Sequence, residues 1–292
     1  MSNKKQIKVI AIVGATASGK TAYSIELAKK INGEIISADS RLVYKGFDIG
    51  TAKPTKQERQ GIPHHLIDIV EPEFDYSAGL FQKQAREVIL EINSRGNVPI
   101  IVGGTGLYID ILLKNFDLPQ IPPNKDFRKN LANTDVHYLF ELLKNKDSEA
   151  AESIDSNDRK KIIRALEIIA TTGKPLKQSR GIQQQEFDIQ WIGRNFDRIT
   201  LYNRINSRVD TMFEQGLLDE TKNLLEKHGK IPNLINTIGY REVIGYIDNK
   251  YSLDEAKELL KKNTRNYAKR QLTWFRKNTN IEWNIYPDKL KK

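Results

Sequence analysis

The sequence predicts an α/β protein: a parallel sheet covered by helices, interrupted by an all-helical insertion and closed by a basic helical C-terminal region. Three observations predict it. Short apolar, β-rich runs alternate with stretches of helical periodicity through the first 115 residues. One of those strand-to-helix junctions is a glycine-rich loop of the kind that holds phosphate. The alternation then stops at the proline-bearing stretch Phe116–Asn124 and returns only at Phe187.

Val9–Val13 is a short apolar run, read as a buried strand. Ala22–Ile31 has helical spacing and ends at Asn32-Gly33, after which Glu34–Ser37 reads as a second strand and His64–Val70 as a third. Tyr76–Gly96 carries apolar residues at helical intervals and closes on a glycine stop. Val98–Gly104 is a fourth strand, again followed by a glycine turn and an apolar helix, Leu107–Leu113. From Phe116–Asn124 to about Ser179 the chain reads as helical and polar, with no strand signal. Phe187–Arg194 returns as a strand, and everything from Tyr202 reads as helix apart from turns at "KHGKIPN" and "DNKYS". The expected domains are a P-loop-type core over 1–115, a helical insertion over 116–186, and a return to the core with basic helices over 187–292.

Of 292 residues, 39% are hydrophobic and 29% charged, an ordinary balance for a chain with a sizeable core. No apolar run approaches the ~20 residues that cross a bilayer, so no membrane partner is expected. The start, "MSNKKQIKVIAIVG", is basic and then apolar, but the run ends in a glycine loop with a lysine and offers no A-x-A site. It reads as the first strand, and the expected compartment is the cytoplasm. The absence of cysteine excludes disulfides, thiolate metal sites and a cysteine nucleophile. A formal net charge of +10 fits either a solvated basic surface or a polyanion partner.

Gly14-Ala15-Thr16-Ala17-Ser18-Gly19-Lys20-Thr21 fits G-x-x-x-x-G-K-[ST] and sits between a strand and a helix, as the mechanism requires. Its glycines let successive N–H groups turn inward on phosphate oxygens, and the helix adds its positive end. Lys20 supplies a point charge, and Thr21 can place its hydroxyl on Mg²⁺. The motif accepts any pyrophosphate group and does not specify ATP. The magnesium-holding aspartate of a nucleotide hydrolase has only Asp68 as a candidate, because the strand Pro99–Val102 runs into Gly103-Gly104-Thr105 without a carboxylate.

Other residues carry two readings each. Asp39 follows a strand, beside Ser40 and Arg41, and is either a general base or a turn-capping carboxylate. Thr105 lies at a strand end, where ligands of open α/β sheets gather, or simply caps the next helix. Arg204 and Arg208 share a helix face; a departing pyrophosphate suits an arginine fork, and a surface salt bridge is the plainer expectation for Arg204. His64-His65 tempts a metal assignment, but adjacent residues of a strand point apart and no third ligand is near, so a structural role is expected.

The charge is uneven. Between Glu258 and Glu282 there is no acid, and Lys262, Arg265, Lys269 and Arg276 fall at helical offsets as one stripe. Leu260, Tyr267 and Trp274 form another, extended by Ala268, Leu272 and Phe275. This predicts a helix packed on the core by its apolar side and presenting a basic stripe to phosphates. "DRKKIIR" adds a second basic helix start, with Lys160, Lys161 and Arg164 on roughly one face.

Eight stretches in order resemble the tRNA dimethylallyltransferases (isopentenyl transferases): "GATASGKT" (14–21), "ISADSRLVYKGFDIGTAKP" (36–54), "PHHLIDI" (63–69), "GGTGLY" (103–108), "NDRKKIIRALE" (157–167), "RINSRVDTMFEQGLLDE" (204–220), "TIGYREV" (237–243) and "NYAKRQLTWFRK" (266–277). Together they span nearly the whole chain. The resemblance implies transfer of a prenyl group from dimethylallyl diphosphate to N6 of the adenosine 3′ of the anticodon, in tRNAs reading codons that begin with U. It implies that Gly14–Thr21 and Arg208 hold the diphosphate with Mg²⁺, that Asp39 takes the N6 proton, and that Thr105 donates to the departing pyrophosphate. Contacts to the tRNA anticodon stem-loop are implied for Asp39, Ser40, Arg41, Leu42, Thr105, Arg128, Lys160, Lys161, Ile162, Ile163 and Arg164. The same is implied for the segment Asn236–Arg241 (Thr237, Gly239, Tyr240 and Arg241) and for Lys269, Arg270, Gln271, Trp274 and Arg276.

Many members carry Pro where Ala15 stands, which the loop tolerates, and some carry Arg or Gln at the position of Asn236, which puts that one contact in question. The likeness is to the bacterial type without a zinc-finger extension, and a monomer is expected. The competing expectations are a P-loop kinase using ATP, prenyl transfer to free adenylate, and an RNA-binding module whose loop holds nucleotide structurally. The basic C-terminal helix would be idle in the first two.

Overall fold

The structure, a computed structural model, describes residues 6–114, 116–117, 121, 123–178, 181–182 and 186–286. The first elements in chain order are β1 (Ile7–Gly14), α1 (Lys20–Ile31), β2 (Gly33–Ser37), β3 (His64–His65), α2 (Ala78–Ser94), β4 (Val98–Gly103) and α3 (Gly106–Leu113). Next come β5 (Phe116–Asp117), α4 (Lys125–Asn130), α5 (Val136–Lys146), α6 (Ser148–Ser153), α7 (Arg159–Thr172) and β6 (Gly181–Ile182). The last are β7 (Phe187–Phe196), α8 (Arg198–Glu214), α9 (Leu217–His228), α10 (Pro232–Ile235), α11 (Tyr240–Ile247), α12 (Leu253–Phe275) and β8 (Glu282–Tyr286). The chain divides into two compact units, Met1–Leu113 with Glu186–Lys292, and Lys114–Gln185.

The first unit is built on one sheet of order β3-β2-β4-β1-β7-β8, with every pairing parallel. The central strand β1 is a run of apolar residues because it is covered on both faces, so alternation would leave a polar side chain in a core. Ile10 and Ile12 pack with Ile25 and Ala28 of α1 on one face. Val9, Ala11 and Val13 point the other way, into the main core with Phe81 and Ile89 of α2 and Ile109 of α3. Helix α2 starts where Ser77 accepts from the Leu80 N–H at 3.1 Å. Helix α12 opens on a capping box between Ser252 and Glu255.

In the second unit, α5 and α7 enclose a separate core of Leu139, Leu143, Ile162, Ile163, Leu166 and Ile168. Phe116–Asp117 pairs antiparallel with Gly181–Ile182. The insertion is therefore not all-helical: a two-residue ladder joins its ends, too short to leave a period in the sequence. Of the proline-bearing stretch, residues 118–120 and 122 lie outside the described residues.

Three expectations need correction in the first unit. The third strand is confined to His64–His65, because Leu66 and Asp68 adopt positive φ of 61° and 57° and turn the chain out of the sheet. The C-terminal region is not helical to its end: β8 adds an edge strand beside β7, pairing Gly193 with Trp283. Helix α8 begins before Tyr202, at Arg198, because Asp197 caps it by accepting from the N–H groups of Ile199 and Thr200. Among the described residues no helix is long and apolar enough to cross a membrane.

Candidate active site

The phosphate loop leaves the carboxyl end of β1 and enters α1. Gly14 has φ 146°, and a Cβ there would lie 2.1 Å from the Arg194 carbonyl oxygen of the neighbouring strand, so only glycine fits. Ala17 and Gly19 are also left-handed, at φ 59° and 79°, which curls the backbone around the loop interior. Ser18 is buried, and its Oγ meets no partner among the described residues. Lys20 Nζ donates to the Ala15 carbonyl at 2.6 Å. Burial first, and the Arg208 charge second, push the Lys20 ammonium down to about 7, with the Asp39 charge opposing.

Helix α8 supplies both expected arginines. Arg208 Nη1 donates to Thr16 Oγ1 at 3.4 Å, and burial, then the Arg204 charge, holds its pKa below the ordinary arginine value. Arg204 is no surface salt bridge: its Nε donates to the Ala17 carbonyl at 3.0 Å, and its guanidinium lies 4.5 Å over the Phe196 ring. One cation was not anticipated. Arg194 of β7 lies 4.6 Å over the Tyr23 ring, and a Cβ on Gly19 would be 3.9 Å from its Nη2. No sequence signal marks it, because only the sheet order and the Gly14–Arg194 register of β1 and β7 bring it to the loop.

Asp39 and Thr105 follow the neighbouring strands β2 and β4. The Ser40 N–H donates to Thr105 Oγ1 at 3.1 Å, and the Thr105 N–H to the Ala38 carbonyl at 3.3 Å. A Cβ on Gly103 would lie 2.1 Å from that same carbonyl, so the glycine permits the stitch. Asp39 does cap a turn, accepting from the Arg41 N–H at 2.8 Å on Oδ1. Its Oδ2 has no hydrogen-bond donor among the described residues. The turn fixes one oxygen and leaves the other for a proton. Tyr267 of α12, expected only on an apolar face, joins this group. Burial raises its phenol pKa, the Asp39 charge adds to that, and a hydrogen bond with Thr105 opposes it.

The expected nucleic-acid residues separate into two sets. In the first unit Lys269, Arg270, Trp274, Arg276 and Arg241 are exposed, and Ser40, Arg41 and Leu42 are half-buried beside Asp39. Trp274 Nε1 donates to Asp110 at 3.0 Å, and the residue is 41% exposed rather than packed in the core. The basic stripe is broken at Arg265, which is half-buried and donates to Asn206 Oδ1 at 2.6 Å.

Three residues of the 236–241 segment are structural instead. Thr237 is buried, and its hydroxyl donates to the Asn233 carbonyl. Gly239 has φ 106°, and a Cβ there would lie 2.9 Å from the Gly50 carbonyl. Tyr240 is fully buried, with its hydroxyl donating to Glu220 at 2.7 Å. Gln271 is also buried, both ends of its amide spent inside the protein. In the second unit Ile162 and Ile163 belong to the core, because α7 turns that side inward. Lys160 and Lys161 are exposed. Arg128 and Arg164 both donate to the buried Glu167.

His65 Nε2 lies 2.7 Å from Glu34, and His64 Nδ1 2.8 Å from the Ile62 carbonyl, both structural. Asp68 is paired with Lys53 and Arg59, which removes it as a magnesium carboxylate. Among the described residues no group of three or more His, Asp or Glu is placed to hold a metal. A magnesium ion carried by one hydroxyl and phosphate oxygens needs no such cage. Thr21, exposed at the start of α1, is chemically suited to that mode.

A family model described as IPP transferase matches residues 42–278. A tRNA dimethylallyltransferase of Carboxydothermus hydrogenoformans is 50% identical over 283 residues, covering 94% of this chain and 91% of the relative. The solved full-length tRNA isopentenylpyrophosphate transferase of Bacillus halodurans is 44% identical with a TM-score of 0.72, over 95% of this chain and 89% of that one. A eukaryotic dimethylallyltransferase acting on tRNA is 32% identical with a TM-score of 0.86, over 98% of this chain and 75% of that one. By the span of the family model and these identities, the chain belongs to the IPP transferase family and is a transferase.

Proposed function

We propose that this protein transfers the dimethylallyl group of dimethylallyl diphosphate to N6 of the adenosine 3′ of the anticodon in tRNAs reading codons that begin with U, releasing pyrophosphate. The observation that carries the proposal is the pairing of a cation-rich phosphate loop after β1 with a half-satisfied carboxylate after β2, two strands away across β4. An exocyclic adenine amine is a weak nucleophile, because its lone pair is delocalised into the ring. It needs a base for its proton and a good leaving group on the carbon it attacks. Asp39 Oδ2 takes the N6 proton as the N6–C bond forms and the C–O bond to the diphosphate breaks.

The loop N–H groups, Lys20 and Arg208 receive the charge that develops on the pyrophosphate. Its phosphates return to Lys20 the counter-charge that burial denies it. Thr105 Oγ1 accepts from Ser40, so its own proton is available to a leaving oxygen. Thr21 and the diphosphate would hold Mg²⁺, which supplies charge neutralisation to the leaving group. The target base must leave its stack to reach Asp39, at a cost of a few kcal/mol. The exposed set Arg241, Lys269, Arg270, Trp274 and Arg276 is the proposed counter-surface for the anticodon loop, and Lys160 and Lys161 serve the stem from the second unit.

The test is one assay with two donors. The protein and Mg²⁺ are incubated with an anticodon stem-loop carrying adenosine 3′ of the anticodon, with dimethylallyl diphosphate in one tube and ATP in the other. The expected result is an RNA heavier by one prenyl group only with the diphosphate. ATP turnover with no gain in RNA mass, or prenylation of free adenylate alone, overturns the proposal.

A further inference from the structure

We infer that Gln271 is a positioning residue that sets the gap between the phosphate loop and the Thr105 turn; the inference rests on the function proposed above. Gln271 is 5% exposed on α12, and its amide spans two loops that are distant in sequence. Oε1 accepts from the Thr16 N–H at 2.8 Å, and Nε2 donates to the Gly104 carbonyl at 3.0 Å. One planar amide thus fixes the separation between the loop that holds the leaving group and the turn that carries Thr105.

Three further observations make this a strut rather than ordinary satisfaction of a buried amide. A Cβ on Gly104 would lie 2.1 Å from Gln271 Nε2, and one on Gly106 would lie 2.3 Å from Trp274 Cδ1. The turn is glycine-rich because the side chains of α12 occupy the space its own would take. Thr16 is also the residue whose Oγ1 accepts from Arg208, so the strut bears on the placement of that arginine. Tyr267, one helical turn before Gln271, meets Thr105. A single face of α12 therefore touches both halves of the reaction, while its other side presents Lys269 and Arg270 to solvent, with Arg276 exposed at its C-cap. The alignment Gln271 maintains is one the transition state needs and neither substrate needs in order to bind.

The variant Gln271→Met keeps length and apolar volume but loses both hydrogen bonds. The expected result is a fall in kcat of about 10²-fold, the scale of a small misplacement of reacting groups. KM for dimethylallyl diphosphate and the dissociation constant for the stem-loop RNA stay within about threefold, because no binding group is removed. Gly104→Ala pushes the flexible end of Gln271 aside by another route. It is expected to lower kcat in the same selective way, with no further loss in the double variant. Amide hydrogen exchange reads the strut without substrate, and protection over residues 14–21 falls in both variants.

An unchanged kcat with a lowered melting temperature makes Gln271 merely structural and overturns the inference. Weaker RNA binding with kcat intact returns Gln271 to the nucleic-acid surface and overturns it as well. Unchanged exchange protection over the loop does the same. Inactivity of the wild-type protein in this assay sinks the proposed function instead, and the exchange measurement still decides the strut.

Discussion

Two clusters of charge sit in the two units, one around a buried carboxylate and one around half-buried cations, and they are opposite in kind. In the second unit Glu167 is 1% exposed and its carboxylate is fully engaged. Arg128 donates to it twice, at 3.0 and 2.8 Å, Arg164 Nη1 once at 2.5 Å, and the Asn124 N–H once at 2.6 Å. Burial alone would raise this carboxyl, yet the hydrogen bonds from Arg128, Arg164 and Asn124 hold it down to about 2. In the first unit Lys20 donates to a loop carbonyl, faces Arg208, and is pushed down to about 7. Ser18 Oγ beside it meets no partner among the described residues. A buried charge whose neighbours match it holds a fold together, whereas a half-buried cation that its neighbours disfavour is left for a ligand to match.

The largest expected effect tests the ligand side of that contrast. Asp39→Asn removes the proton acceptor but keeps the turn, because an amide oxygen still accepts from the Arg41 N–H. Single-turnover transfer should fall about 10²- to 10⁴-fold, with stem-loop affinity unchanged; transfer within a few-fold of wild type would remove Asp39 from the chemistry. Lys20→Met should lower transfer by about 10²- to 10³-fold and yet not lower stability. The Lys20 pKa is depressed in the fold, from 10.5 to about 7, so its charge destabilises the fold fully below pH 7. That cost is relieved as pH rises from 7 to 10.5. At pH 6 the variant should therefore melt at or above the wild-type temperature. A clear loss of stability would show that Lys20 is matched like Glu167, and the contrast would fail.

Glu167→Gln tests the structural side, with the opposite sign. The Glu167 pKa is lowered in the fold from 4.5 to about 2, so its contribution is present above pH 4.5 and disappears as pH falls toward 2. A shift of that size corresponds to about 3 kcal/mol. Denaturation at pH 7 should show a deficit of that order in the variant, and the two proteins should converge as the solution is acidified toward pH 2. Equal stability at pH 7 would reduce Glu167 to a bystander.

How legible each region was in the sequence follows from the same contrast. The sheet could be read from β1, β2, β4 and β7 because buried parallel strands are unbroken apolar runs. β3 misled because an apolar run does not record that Leu66 and Asp68 turn left-handed. β8 was hidden by its shortness and its polar neighbours. The phosphate loop is local, so its motif could be read directly. The residues that reach it from far along the chain could not be read in the same way. Arg194 sits at a strand end that only the sheet order brings to Gly14, and Gln271 and Tyr267 lie on the helix side that spacing alone assigns to the core. Conversely, Ile162, Ile163, Thr237 and Tyr240 share short motifs with exposed basic residues. The resemblance implied them as contacts, yet helix periodicity turns Ile162, Ile163 and Tyr240 inward, and Thr237 is buried in the turn before α11, bonded to the Asn233 carbonyl.

The smallest expected effect separates two adjacent lysines of α7. Lys160 is exposed and makes no ion pair within 4 Å among the described residues, whereas Lys161 Nζ lies 3.0 Å from Asp158 Oδ2. If the second unit meets RNA phosphates, a lysine already paired has less to offer, since contacting a phosphate costs it the carboxylate. Lys160→Ala should weaken stem-loop binding and flatten the salt dependence by about one phosphate contact. Lys161→Ala should do less. Asp158 also caps α7 by accepting from the Lys161 N–H at 3.1 Å, so its charge has to be removed without its acceptor oxygen. Asp158→Asn meets that condition, and by freeing Lys161 it should tighten RNA binding and steepen the salt slope. Identical slopes for all three variants would mean that this face of α7 stays in solvent. The basic start of that helix would then be the solvated surface that its composition alone allows.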